Sequence, residues 1–340
     1  VGGTAFVAVL NLADLWPARW LVAGSCLLAA AANALVVVGD SYTFALWMRF
    51  LTGFFLAGVY PPSMKMMATW FASNRGLAIG ALVGALTIGK ALPFLIRAMH
   101  DISPNFVMLS ASFGAVLAGL LVAAVYHDGP HTFERRAFSW KLVGTVVRHR
   151  ETRLAVAGYL GHMWELYACW SLVAVFFYGF FMQRGASQLA AAASSGIVGF
   201  SVIAMGGLGS VLAGAWADRL GRERITIWSM MVSGACSLVM GWLLNAPLWL
   251  AVSVGLIWGF AVVADSAQFS AVVTEVAPAH AVGTALTLQT SLGFLLTALT
   301  IWLAVEMSAR FGWGLAFSML AIGPMLGTMA MVRLKKVRGR

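Results

Sequence analysis

The chain has 340 residues, of which 61% are apolar and only 10% charged, and a formal net charge of +10. A soluble domain carries roughly 25% charged residues, so this composition lacks the polar surface to cover a water-facing fold and indicates an integral membrane protein. The basic charge is spread over short loops between apolar runs, which argues against a nucleic-acid surface.

Eleven apolar segments follow one another, at roughly 1–12, 20–38, 43–68, 77–98, 105–126, 154–181, 192–216, 225–244, 249–275, 282–305 and 312–332. Most approach the ~20 residues that carry a helix across a ~30 Å hydrocarbon core, and none shows the strict alternation of a membrane barrel. Breakers fall between them: Trp16-Pro17, Gly39-Asp40, Asn74-Arg75-Gly76, Ser103-Pro104, Asn245-Ala246-Pro247 and Pro278. The first run is short and follows no basic stretch, so it does not read as a signal peptide. Cys26, Cys169 and Cys236 lie inside apolar runs without metal-ligand spacing and read as small packing residues.

Basic residues alternate from loop to loop. The segments near 13–19, 69–76, 127–153, 217–224 and 276–281, with the tail from Arg333, hold sixteen of the 22 Lys and Arg residues. The positive-inside rule places these loops and the C-terminus in the cytoplasm. An odd number of spans then puts Val1 outside.

Residues 212–224 read Leu-Ala-Gly-Ala-Trp-Ala-Asp-Arg-Leu-Gly-Arg-Glu-Arg, with five charges between Asp218 and Arg224. Such a stretch cannot lie in hydrocarbon and must be a tight polar turn between two spans. Its pattern Gly-x-x-x-Asp-Arg-x-Gly-Arg-x-Arg resembles the signature loop of the major facilitator superfamily of secondary transporters. A decayed copy, Leu12-Ala13-Asp14-Leu15-Trp16-Pro17-Ala18-Arg19, lies six spans earlier, the spacing of two homologous halves. Arg49-Phe50-Leu51-Thr52-Gly53, with Pro61 beyond it, resembles the family's fourth span. Gly76, Gly80 and Gly84 resemble its glycine-rich fifth span, where small residues let helices approach closely.

The resemblance implies an all-α integral membrane protein with the family's fold: two six-helix bundles around a central cavity. Twelve spans with both ends cytoplasmic are usual, so the visible spans number two to twelve and the chain reads as a fragment lacking the first. The expected organisation is an N-terminal bundle (1–126), a basic linker (127–153), amphipathic around residues 140–147, a C-terminal bundle (154–332) and a basic tail (333–340). Asp14, Arg19, Asp218, Arg219, Arg222 and Arg224 are then cytoplasmic gating contacts that touch no substrate.

A charge within a span costs several kcal/mol, so each is a functional candidate. Arg49 lies near the outer end of span four, with Gly53 and Tyr60 close to its face. Lys65 reads as snorkelling at the other end. Lys90 is near the middle of span five, about 120° from the glycine stripe on a helical wheel, with Arg97 about 20° from it. On span seven, His162 precedes Glu165 by one turn. A lone His-x-x-Glu is half of a metal motif, so proton exchange is the better reading, because burial disfavours the charged form of a carboxyl group. On span ten, a continuous helix puts Trp258, Asp265, Gln268 and Val272 on one stripe, a plausible pocket wall. Thr287, Gln289, Thr290 and Thr297 make span eleven mildly polar, as interhelical packing hydrogen bonds would.

In the family, spans one, four, seven and ten line the cavity. Arg49, Lys90, Asp265, Gln268 and Trp258 are therefore expected to bind substrate, and Glu165, Asp265 and His162 to carry protons. The expected function is proton-coupled transport of a small anion or zwitterion by alternating access, in the plasma or inner membrane. Small solute, protons and membrane lipids are the expected partners, without nucleic acid, metal or other cofactor, and the protein is expected to be a monomer. The overall look leans toward the nitrate and cyanate porters, although spans two and eight lack those porters' anion-binding arginines. Drug or metabolite efflux is the alternative; the antiporters' Gly-Pro near the end of span five is replaced here by Gly89-Lys90-Ala91-Leu92-Pro93. A non-transporting receptor on the same fold is another alternative. Nothing resembles a nucleotide-binding loop, a nucleophile elbow or another enzyme motif.

Overall fold

The computed structural model describes residues 17–71, 75–99, 102–130 and 139–339. These are helical throughout, without strands among the described residues. The helices are α1 Ala18–Leu35, α2 Tyr42–Leu56, α3 Tyr60–Trp70, α4 Arg75–Ala98, α5 Pro104–Val125, α6 Trp140–Arg148, α7 Arg150–Met182, α8 Gln188–Leu220, α9 Arg222–Met240, α10 Leu248–Ala264, α11 Ser266–Val276, α12 Val282–Leu320 and α13 Ile322–Val337. Ten of the eleven apolar segments fall on these helices. Segment 1–12 lies outside the described residues, as does Asp14.

Local chemistry sets most of the helix ends. Ser103 caps α5 by accepting a hydrogen bond from Phe106 N at 3.3 Å, with Pro104 in the first turn. Ser41 caps α2 and Ser187 caps α8 in the same way. Gly221 has φ of 94°, a conformation that an L side chain resists, and this allows the tight α8–α9 turn.

Three expected continuities or breaks come out differently. Span four divides at residues 57–59 into α2 and α3, because Pro61 and Pro62 fit only the first turn of a new helix. Span ten divides at Asp265 into α10 and α11; Trp258 and Asp265, before the break, both face α7, whereas Gln268, beyond it, turns to Arg222. The gap expected between 305 and 312 is instead helical up to a sharp turn at Gly312, φ 82°.

The chain forms two compact units, Val1–Ser73 with Asp101–Leu142 and Asn74–His100 with Val143–Arg340. In the first, α1 packs against α5, α2 and α3. Val22, Cys26 and Met66 are buried together, flanked by Val122 and Tyr126. Asn33 Nδ2 donates to Met108 O and Ser112 Oγ, each at 3.0 Å, joining α1 to α5. Beyond the end of α5, the Tyr126 phenol is held above its ordinary pKa, mainly by burial.

In the second unit, α4 lies along α8. A Cβ on Gly80 would stand 2.5 Å from Ser210 O, and one on Gly84 2.9 Å from Gly207 O. The glycine stripe therefore packs against backbone, as the four-residue spacing predicts. By chain order α4 was grouped with the N-terminal bundle; its contacts place it in the second unit. Helix α7 is buried along most of its length by α13, α12 and α8. Gly161 meets Gly323 and Gly327, which brings the α7 and α13 backbones together.

Candidate functional site

Two polar groupings stand out, both within the second unit. The first is buried in its interior. His162 and Glu165, one turn apart on α7, are 3% and 1% exposed, and Asp265 is 1% exposed. Each acid has its own partners. His162 Nδ1 lies 2.8 Å from Asp265 Oδ1, and His162 Nε2 lies 2.9 Å from Ser266 Oγ. Glu165 accepts hydrogen bonds from Ser233 Oγ at 2.8 Å and Trp258 Nε1 at 2.7 Å. The α10–α11 break puts Asp265 and Ser266 against the imidazole, whereas Trp258, nearly two turns earlier on α10, reaches Glu165.

This arrangement can do specific chemistry. Neutral His162 can donate from Nδ1 to the Asp265 carboxylate while Nε2 accepts from the Ser266 hydroxyl. Protonated His162 donates from both nitrogens and leaves Ser266 as acceptor. One proton therefore changes the direction of the hydrogen bond to α11. His162 meets Asp265 across helices, while Glu165, one turn on, bonds to Ser233 and Trp258.

The second grouping ties helix ends together. Asp218, at the end of α8, accepts from the backbone N–H groups of Gly76 at 3.2 Å and Leu77 at 3.3 Å, the first turn of α4. A carboxylate at a helix N-terminus satisfies free N–H groups and opposes the helix dipole. A Cβ at Gly76 would sit 2.5 Å from the Asp218 oxygen, so the approach requires glycine. Arg222 donates from Nε to Glu275 at 2.8 Å and from an Nη to Gln268 at 2.8 Å, and lies 3.6 Å from Asp218. Arg338 pairs with Glu223 and, at 3.2 Å, with Glu275. Arg219 and Arg224 line a shallow cleft with Lys335 and are not part of these ion pairs.

The other expected residues are placed as follows. Gln268 bonds to Arg222 through Oε1, so it belongs to the helix-end grouping, away from the Trp258–Glu165 pair. Arg49 is exposed and donates to Asn33 Oδ1 at 2.7 Å; nothing lies within 4 Å of the open side of Gly53. Lys90 lies exposed on α4, off the glycine stripe. Arg19 donates to Ala123 O and stacks over Trp20 at 4.7 Å. No trio of His, Cys, Asp or Glu suited to a metal is found among the described residues.

Against known proteins, the sequence matches the family model described as Major Facilitator Superfamily over residues 2–300. The chain belongs to the major facilitator superfamily. It is therefore a multi-pass membrane transporter, and enzyme readings fall away. Among solved structures it is similar to the human organic anion transporter MFSD10 (TETRAN), with a TM-score of 0.65 and 16% identity, covering 97% of this chain and 83% of that one. At that identity the likeness concerns the fold alone. No curated protein sequence matches.

For a facilitator-superfamily transporter, sequence reasoning left several residues unnoticed. Ser233 and Asn33 are small polar residues in apolar runs and gave no signal beyond polarity. Glu223 and Arg338 stand near helix ends, where charges are common; Glu275, by contrast, reads from its place near the end of span ten as a cap or gate, and it pairs with Arg222 and Arg338. Gln289 was assigned a packing hydrogen bond. It is fully buried, yet neither amide atom finds a hydrogen-bond partner among the described residues.

Proposed function

We propose that the protein carries out proton-coupled transport of a small anionic or zwitterionic solute by alternating access. The observation that carries this reading is the buried His162–Asp265 pair beside Glu165 on α7. Removing an ionised carboxyl group from water costs several kcal/mol unless partners compensate. An interior with two acids and one imidazole is therefore sensitive to a single proton, and its protonation biases which helices hold together. Glu165, Asp265 and His162 carry the proton in this reading.

Arg49 and Lys90 supply the positive charge for the solute. Gln289 offers a buried donor and acceptor that a polar solute could satisfy. That MFSD10 is an organic anion transporter supports an anionic cargo without naming it. Asp218, Arg219, Arg222 and Arg224, with Arg19 and Asp14 in the first half, act as gating contacts on the cytoplasmic side. The C-terminus is cytoplasmic, the protein works as a monomer in the plasma or inner membrane, and 1–126, 127–153, 154–332 and 333–340 are its N-terminal spans, linker, C-terminal spans and tail in chain order, with α4 packed in the second unit.

The test is uptake and efflux of labelled organic and inorganic anions in proteoliposomes, with and without an imposed proton gradient. The reading expects gradient-dependent movement of at least one anion and weaker affinity in Lys90→Ala. Anion movement indifferent to the gradient in every case would refute proton coupling. Unchanged affinity in both Lys90→Ala and Arg49→Ala would remove the anion-site assignment. Export against the gradient would favour the efflux alternative.

A further inference from the structure

A third cluster serves neither grouping. Arg150 and Arg153, in the first turn of α7, and Arg333, near the end of α13, line a cleft of about 370 Å³ together with Leu154 and Ala157. The α7 residues follow the spacing i, i+3, i+4 and i+7, which puts them on one helix face. Arg333 joins them because Gly161, Gly323 and Gly327 hold α7 and α13 in backbone contact. All three arginines are exposed, and none makes a side-chain ion pair or hydrogen bond among the described residues.

Three like charges converging on one cleft repel one another and call for an anion. Guanidinium groups bind phosphate oxygens in pairs of hydrogen bonds, and the α7 N-terminus adds a favourable dipole. Beneath the cleft, at helical spacing from Arg333, stand Met329, Leu326 and Ile322, exposed by 47%, 55% and 45%. Their offsets of four, seven and eleven residues keep them within about 40° of Arg333. A phosphate group on the arginines therefore continues directly onto an apolar stripe.

We propose that this cleft is a binding site for an anionic phospholipid, its headgroup phosphate held by Arg150, Arg153 and Arg333 and an acyl chain lying along Met329, Leu326 and Ile322. A free phosphate would use the same arginines but gain nothing from the stripe. The site is independent of the proton-coupling reading.

Purified full-length protein in neutral detergent is titrated with phosphatidylglycerol, phosphatidylcholine or inorganic phosphate, and retained lipid is counted by native mass spectrometry. Phosphatidylglycerol is expected to bind at least about tenfold more tightly than phosphatidylcholine, and millimolar phosphate to leave it in place. Replacing all three arginines by glutamine is expected to abolish the preference, replacing them by lysine to keep most of it, and Arg310→Gln, on α12 where Arg310 pairs with Glu306, to change nothing. Equal retention of the two lipids by the unaltered protein, or full preference in the triple glutamine variant, overturns the proposal. Displacement by millimolar phosphate overturns the lipid assignment and leaves a soluble-anion site.

Discussion

Glu165 shows how one buried side chain joins three helices. It stands on α7, accepts from Ser233 on α9 and from Trp258 on α10, and is 1% exposed. Removing a single donor leaves part of a buried polar group unsatisfied, which costs about 1–3 kcal/mol. Trp258→Phe keeps an aromatic ring beside Phe317, which the indole meets edge-on at 5.1 Å, and deletes only the N–H and some ring volume. The detergent-solubilised variant should melt several degrees lower and lose transport. A melting point equal to that of the unaltered protein would show that the bond carries no weight. Asp218→Asn makes a gentler change. It keeps an acceptor oxygen for one of Gly76 and Leu77, leaves the other N–H to water at this partly exposed helix end, and loses the charge at the α4 N-terminus, worth about 0.3–1 kcal/mol. A drop in melting point of at most a few degrees is expected, smaller than for Trp258→Phe.

At this scale the sequence disclosed which residues matter better than whom they touch. Charges in apolar runs are conspicuous because hydrocarbon penalises them, so His162, Glu165 and Asp265 could be picked out directly. Their partners could not. A helical wheel gives the face on which a residue stands, not the neighbour that the face meets, and it assumes a helix unbroken at Asp265. Trp258 and Asp265 do share a face, toward Glu165 and His162 on α7, whereas Gln268, beyond the break, meets Arg222. Lone serines such as Ser233 gave too weak a signal, since hydroxyls are cheap to bury when they bond to their own helix.

Among the elements, α4 and α8 show the strongest link from spacing to packing. Gly76, Gly80 and Gly84 meet Gly214, Ser210 and Gly207 along the same seam. Backbones this close leave no room for a methyl group. Gly80→Val should destabilise the protein by about 1–3 kcal/mol through overpacking, whereas Gly89→Ala, on the same helix with open space around it, should be neutral. Thermal unfolding of the two variants separates a packing seam from mere flexibility: equal midpoints would contradict the seam. Helix existence was legible for all ten described spans because ~20 apolar residues in a row admit no other membrane-crossing structure. Interruptions were less legible. Pro61-Pro62 lies inside an apolar run that reads as one span, and nothing in the local composition at Asp265 announced the other break, since a single acid among Ala, Val and Ser is compatible with a continuous helix.

For the whole molecule, the central claim is that the buried acids couple proton movement to solute movement. Net accumulation driven by a proton gradient requires the coupling groups to load and release a proton in each cycle. Exchange of labelled for unlabelled solute across the membrane requires no net proton transfer, only the solute site and the conformational change. The decisive measurement compares the two activities in proteoliposomes containing Asp265→Asn or Glu165→Gln, using a solute the unaltered protein transports. If the account is right, gradient-driven accumulation falls to the level of protein-free vesicles in at least one variant while exchange continues at a rate within roughly tenfold of the original. If both variants still accumulate solute against its gradient as the unaltered protein does, the acids do not couple protons and the central claim is wrong.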